Sequence, residues 1–222
     1  TLLSLDVSET LKVDLERLLS TNLPNLEKLI IGEELCDGQN RGGNKFSYEF
    51  MRSVGRNWPN IRELDVRGVV ASYNIVLENL KNLEKFEASE TFKSTSTPFY
   101  HNSSIYPKMI SFKGDVNSTT SLSNILYSMP NLKELNPRST FNYTPSLLHQ
   151  FSKMRNLEVL YVKFNIMSAI AVASEQEVIE LKQLIYQLKE FSITFYMKGV
   201  TSFQFEKLYE ELADCIYVEI IN

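Results

Sequence analysis

A short apolar pattern recurs along the chain and constrains its fold more than any other feature of the sequence. Three clear copies, at residues 23–31, 58–66 and 80–88, read approximately φ-(P/K)-N-L-x-x-L-x-V, where φ is an apolar residue. Weaker copies begin at Met129 and Met154, and a degenerate copy begins at Tyr106. Repetition of one unit along a chain indicates a stacked array, in which each unit completes its core only against its neighbours.

The spacing inside each copy predicts one short strand. The second and third apolar residues of L-x-x-L-x-L are two apart, so both point to one side while their neighbours point to the other. The spacing matches the leucine-rich-repeat template, and it gives about nine units when weaker copies are included. The frame can also be set on three further triplets: Leu2, Leu5 and Val7; Leu188, Phe191 and Ile193; and Ala213, Ile216 and Val218.

Segments between the copies show helical spacing and capping residues. Apolar residues follow a helical period at Leu122, Ile125, Leu126 and Met129, and the same holds for residues 11–19 and 46–54. Ser118 or Thr119, and Thr144 with proline at the next position, fit helix N-caps. The Pro-Asn pair before each strand is interpreted as the end of the preceding helix.

Together these features predict an α/β fold, an irregular leucine-rich-repeat solenoid. In this horseshoe the parallel strands line the concave face and the helices cover the convex face. We expect residues 1–222 to form a single domain of about nine strand–helix units. The chain begins at Thr1 without a signal-peptide pattern, so it is expected to be a fragment that lacks its N-terminal region.

Charge and composition argue against several classes of function. The net charge is −4, from 27 acidic and 23 basic residues, so no positive field favours nucleic acid. The apolar stretches are too short for membrane insertion, which requires about 20 apolar residues. Only two cysteines occur, Cys36 and Cys215, and this predicts a reducing intracellular location in cytoplasm or nucleus.

The sequence contains no pattern typical of an enzyme, and we predict no catalytic residues, no metal and no cofactor. His101 and His149 are the only histidines, and neither has the neighbours of a metal site. The glycine-rich residues 38–45 lack the ending of a phosphate-binding loop. Glu175, Glu177 and Glu180 are interpreted as acidic residues favoured by a helix dipole.

The repeat copies, each followed by a helix of ten or more residues, resemble those of substrate receptors for cullin-RING ubiquitin ligases. Two groups are similar, the F-box/leucine-rich-repeat proteins and the ZYG-11-like receptors. Residues 5–8 (Leu-Asp-Val-Ser) and 64–67 (Leu-Asp-Val-Arg) echo the L-D-(I/V)-S of the second group. The chain has no F-box segment. The resemblance implies a protein-interaction module that recognises substrates of such a ligase, with a substrate or adaptor protein as its partner.

The predicted binding surface is the set of outward-facing strand positions on the concave face. Charges of both signs alternate along it, and an aromatic residue is included, which suits a specific protein partner. The candidate residues are Lys28, Ile30, Glu63, Asp65, Arg67, Lys85, Glu87, Lys113, Asp115, Glu134, Arg138, Tyr161 and Lys163.

Three N-x-(S/T) sequons leave an alternative function open. They lie at Asn102, Asn117 and Asn142, and in a secreted protein they would be glycosylation sites. The alternative is therefore a secreted or cell-surface leucine-rich-repeat ectodomain that binds an extracellular ligand.

Overall fold

A computed structural model describes residues 2–7, 20–31, 48–66, 73–88, 105–116, 118–166, 175–198 and 217–221. Within them lie ten strands that form a single open sheet, and five helices. The strands are β1 (Ser4–Asp6), β2 (Lys28–Ile31), β3 (Glu63–Val66), β4 (Lys85–Ala88), β5 (Ser111–Lys113), β6 (Glu134–Asn136), β7 (Thr140–Asn142), β8 (Val159–Ile166), β9 (Glu190–Lys198) and β10 (Tyr217–Ile221). The helices are α1 (Tyr48–Asn57), α2 (Tyr73–Asn79), α3 (Thr119–Ser128), α4 (Pro145–Ser152) and α5 (Glu175–Gln187).

The sheet is parallel and follows the order of the chain, which confirms the α/β class and the parallel pairing of the repeat strands. The order is β1-β2-β3-β4-β5-β6-β8-β9-β10, and β7 also pairs with β8. Leu29, Leu64 and Phe86 lie side by side on successive strands, as do Phe112 and Leu135 further along. These residues occupy equivalent positions in the repeat copies, so these strands pair in the register that the repeat frame predicts.

The core lies between one face of the sheet and the helices. The first leucine or isoleucine of the L-x-x-L-x-L frame is buried in the three clear copies, with Leu26 and Ile61 at 0% exposure and Leu83 at 2%. Helix residues such as Leu77 and Leu122 join the inward strand residues in the same core cluster. Helix α1 packs on α2, and α4 packs on both α3 and α5. Alternation of buried and exposed strand residues therefore leaves the other face of the sheet, hereafter the open face, to polar side chains.

Two predicted helix starts are confirmed. The Ser118 hydroxyl accepts a hydrogen bond from the Ser121 amide at 3.0 Å, at the N-cap of α3. The Thr144 hydroxyl accepts one from the Leu147 amide at 3.2 Å, and proline occupies the first turn of α4. Each cap satisfies an amide that lacks a partner within its helix. The predicted helix at residues 11–19 lies outside the described residues.

The Pro-Asn pair has a second role that the helix-ending interpretation missed. In each copy the amide of the following apolar residue donates to the carbonyl of φ, as in Ile61 to Trp58 at 3.3 Å. The pair thus occupies the middle of a tight turn, where proline is favoured at the first central position. The asparagine side chains then donate to the preceding turn: Asn60 to the Pro24 carbonyl at 2.7 Å, Asn82 to Pro59 at 2.9 Å, and Asn131 to Pro107 at 2.9 Å.

The strands at the C-terminal side are longer than the pattern predicts. Strand β8 has 8 residues and β9 has 9, and β7 adds a further pairing along β8. Pro137 separates β6 from β7, which both pair with β8, because proline has no amide to donate to the ladder.

Two expectations about the outer units are wrong. The frame aligned Val218 with Ile193, whereas Val218 pairs with Phe195, a shift of two residues. The side chains of a strand alternate with a period of two, so the apolar pattern alone allows both registers. The frame places Leu2 at the same repeat position as the buried Leu26 and Ile61, but Leu2 is 46% exposed. Strand β1 pairs within the described residues only with β2, so Leu2 has packing partners on one side.

Candidate binding surface

The open face gathers most of the predicted site residues into two rows that cross the strands. Strand register defines one row from Lys28 through Glu63 and Lys85 to Glu134, and Ser111 belongs to it. The second row runs from Ile30 through Asp65, Glu87 and Lys113 to Asn136. Tyr161 and Lys163 follow on β8, opposite Ser192 and Thr194. Asp115 and Arg138 lie just past β5 and β6, and Arg67 lies outside the described residues.

Glu63 sits between two lysines of its row. Its carboxylate lies 2.6 Å from Lys85 Nζ and 3.4 Å from Lys28 Nζ. Hydrogen bonding from Lys85 lowers the pKa of Glu63, and Lys28 adds to the effect, although partial burial opposes both. Neighbouring strands lie about 4.8 Å apart, so oppositely charged residues in register meet directly.

Glu134 forms a second paired position in the same row. Its carboxylate lies 2.7 Å from Lys113 Nζ and accepts a 2.7 Å hydrogen bond from the Ser111 hydroxyl. Burial raises the pKa of Glu134, but the bonds from Lys113 and Ser111 together outweigh it and the net shift is downward. Ser111 is itself buried, so the sheet holds this carboxylate in place.

Arg138 joins residues that are distant in sequence. One guanidinium nitrogen lies 2.7 Å from the Glu87 carboxylate, and the other donates to the Ala88 carbonyl at 3.0 Å. Both partners lie on β4, two strands away from β6. On β8 the Tyr161 hydroxyl donates to the Glu190 carboxylate of the adjacent strand. Many of the charged side chains that were predicted to contact a partner are thus already paired with one another on the open face.

Two shallow grooves open onto this face. The first has a volume of about 290 Å³ and lies over β2 to β6, and eight of the predicted site residues line it, including Ile30, Asp65 and Lys113. The second, of about 310 Å³, is lined by Arg138, Tyr161 and Lys163 together with Asn136, Ser139, Val162 and Ser192. The strand positions predicted from the repeat frame therefore do share one surface.

The paired glutamates predict a pH dependence of stability. A carboxyl group with a lowered folded-state pKa stabilises the fold above its unfolded pKa, and this contribution is lost as pH falls through the folded value. We expect the contributions of Glu63 and Glu134 to be complete at neutral pH and to decrease below about pH 4.5, the ordinary glutamate pKa. Urea unfolding at neutral pH and at about pH 3.5 should show a smaller acid-induced loss of stability for E63Q/E134Q than for the wild type.

The matched control for this pH series is E27Q/E78Q, which removes two exposed carboxylates of the described region. This control should follow the wild-type pH dependence more closely than E63Q/E134Q does. Equal acid sensitivity of E63Q/E134Q and the wild type would show that the lysine pairs do not stabilise the fold.

Two further residues considered for chemistry, His149 and Glu180, contact each other. His149 Nδ1 lies 2.9 Å from the carboxylate of Glu180, which is buried between α4 and α5. Glu180 therefore has a specific partner, and the helix-dipole interpretation for it is incomplete. The side chains of Glu175 and Glu177 lie outside the described residues, as do His101, Cys36 and Cys215. Within the described ranges no group of three His, Cys, Asp or Glu residues is arranged to hold a metal ion.

In the part of the chain that the structure describes, no helix combines the length and apolar character needed to cross a membrane. No model of a known protein family matches the chain, and a search of curated proteins finds no match.

Proposed function

We propose that the chain is a leucine-rich-repeat protein that binds another protein on the open face of its sheet. The observation that carries this proposal is the placement of both grooves on the open face, lined by residues of successive repeat copies. Such a face offers side chains at regular spacing across several strands, so a partner can contact many units at once. In this proposal the open face is the concave face of a horseshoe.

The second groove is the proposed centre of the interface. It combines Tyr161 and Arg138, and tyrosine and arginine are enriched among the residues that contribute most to protein–protein binding. Lys163 beside them is exposed, so it is accessible to an acidic partner. The ion pairs around Glu63 and Glu134 serve as a preorganised polar rim, because their side chains are already ordered before binding.

The finer assignment, substrate recognition for a cullin-RING ubiquitin ligase, rests on the resemblance of the repeats to those of F-box and ZYG-11-like receptors. It predicts that a captured partner is degraded through this protein. The half-life of the partner should lengthen in cells that lack the protein and shorten when it is overproduced. An unchanged half-life in both cases would restrict the proposal to binding.

The alternative function, that of a secreted or cell-surface ectodomain, depends on the sequons, and the structure describes the asparagine of one of them. Asn142 is exposed on β7, where a glycan would project from the surface. The other two sequons, at Asn102 and Asn117, lie outside the described residues. Mass spectrometry of the protein isolated from its native host distinguishes the alternatives. Complete glycan addition at Asn142 in the native host would favour the secreted function.

Measuring the affinity of the partner for two matched variants tests whether the open face is the interface. Y161A/K163E alters a tyrosine and a lysine within the second groove. Y186A/K189E makes the same changes at an exposed tyrosine of α5 and an exposed lysine before β9. We expect the first variant to weaken partner affinity by about tenfold or more, since buried interface tyrosines often contribute this much, and the second to leave affinity unchanged.

A circular dichroism melt of both variants confirms that each remains folded before affinity is compared. Equal binding by the wild type and Y161A/K163E would contradict the proposed interface. Equal loss in both variants would place the partner elsewhere on the molecule.

A further inference from the structure

A separate apolar pocket, hereafter the turn pocket, lies at the N-terminal ends of the neighbouring strands β4 and β5. Its volume is about 250 Å³, and its lining includes Leu77, Leu80, Ile105, Tyr106, Lys81 and Lys108. These residues belong to α2 and to the turns that precede the two strands. The pocket therefore shares no residue with the grooves of the open face.

Each lysine of this pocket replaces one residue of the Pro-Asn pair that other turns of the array carry. The copy beginning at Trp58 reads Trp-Pro-Asn, whereas the copy beginning at Leu80 reads Leu-Lys-Asn, and the next begins at Tyr106 and reads Tyr-Pro-Lys. Lys81 thus stands at the proline position and Lys108 at the asparagine position of adjacent turns. Two different substitutions in neighbouring units place positive charge at the same pocket.

The two lysines have neutral partners. Lys81 Nζ lies 5.7 Å from the centre of the Tyr106 ring, and Lys108 Nζ donates to the side-chain carbonyl of Asn82 at 2.7 Å. On the open face, by contrast, Lys85 and Lys113 each contact a carboxylate. Among the described residues neither Lys81 nor Lys108 forms an ion pair, so no carboxylate of the described part of the chain neutralises either lysine.

The apolar part of the pocket combines a buried floor with an exposed wall. Leu77 and Leu80 are 1% and 3% exposed, whereas Ile105 is 54% exposed. Sites for cofactors and drug-sized ligands are usually about 300–1,000 Å³, so this smaller pocket suits a single apolar side chain. An apolar anchor in a pocket, with charges at the rim, is the usual arrangement of a peptide-binding site.

We propose that this pocket binds a linear acidic peptide, which inserts one apolar side chain against Leu77, Leu80 and Ile105 and places carboxylates at Lys81 and Lys108. The peptide is expected from a partner protein, and binding does not depend on the open face. Because charges set much of the encounter rate, binding should weaken as ionic strength rises.

The test uses a fluorescein-labelled peptide in which one leucine is flanked on both sides by aspartate and glutamate, and measures fluorescence polarisation. Companion peptides replace the leucine with serine or the acidic residues with lysine. The protein variant K81P/K108N restores the turn pattern found at Trp58, so it removes both charges with little change in fold. The control K153Q/K189Q removes two exposed lysines elsewhere. A second variant, I105D, places charge on the apolar wall.

We expect the wild type and K153Q/K189Q to bind the acidic leucine peptide equally, and K81P/K108N to bind it about tenfold more weakly, as loss of two exposed charge contacts allows. I105D and the serine peptide should show a loss of similar size. Absence of wild-type binding at millimolar peptide would overturn the proposal. So would unchanged binding by K81P/K108N, or an equal loss in the control. If K81P/K108N melts at a lower temperature than the wild type, K81Q/K108N replaces it.

Discussion

Replacing Phe164 with alanine is expected to lower the free energy of unfolding by about 3–5 kcal/mol, the range for a buried aromatic residue. Phe164 points inward from β8 and is 3% exposed. Its ring stacks on that of Phe195, with the ring centroids 5.5 Å apart. It also forms edge-to-face contacts with Tyr143 and Phe151, at centroid distances of 5.8 Å and 6.3 Å. Truncation would leave a cavity shared by β7, β9 and α4, which these rings now fill.

Urea unfolding followed by circular dichroism measures this loss, and Y186A is the matched control. Tyr186 is 86% exposed, so its truncation should change stability by no more than about 0.5 kcal/mol. Phe164→Leu should recover part of the loss because it refills part of the cavity. In a stacked array the damage should be local, and amide exchange should increase most in the units around β8. A cost for F164A similar to that of Y186A would show that the aromatic cluster is not packed in solution.

The positions of the strands could be predicted from the sequence because the repeat carries two independent signals. Apolar residues two apart give the inward face, and the Pro-Asn pair marks the turn before it. Leu64 and Leu135 therefore occupy equivalent positions in strands far apart in sequence. The extra length of β8 and β9 could not be predicted, because Phe164 and Phe195 stabilise those extensions by contacts between units.

The open face was predictable as a set of positions, but its pairing was not. Alternation identifies Glu63 and Lys85 as outward-facing, whereas their contact requires the strand register. The bond from Arg138 to Glu87 crosses 51 residues of sequence, and no local pattern encodes it. The turn pocket had a visible signal in Lys81 and Lys108, which replace the proline and the asparagine of adjacent Pro-Asn turns. That signal can be interpreted only when the turns that contain the two lysines are known to be neighbours in the fold.

The helix pair α1–α2 depends on close approach at a glycine. Gly55 lies in α1, and a Cβ atom built there would overlap the backbone carbonyl oxygen of Asn79 and lie 3.1 Å from its carbonyl carbon. Backbone atoms at the end of α2 cannot rotate away as a flexible side chain can. Any side chain at this position must therefore separate the two helices.

Gly55→Ala should for this reason destabilise the protein, against the usual rule for glycine inside a helix. Helix propensity alone predicts a gain of up to about 1 kcal/mol for alanine, whereas overpacking costs about 1–3 kcal/mol and more where backbone must move. We expect a net loss of about 2 kcal/mol in urea unfolding. Arg56→Ala, an exposed neighbour in the same helix, is the control and should change stability by no more than about 0.5 kcal/mol. A stabilised G55A variant would mean that α1 and α2 are further apart than the structure shows, since only the propensity gain would then remain.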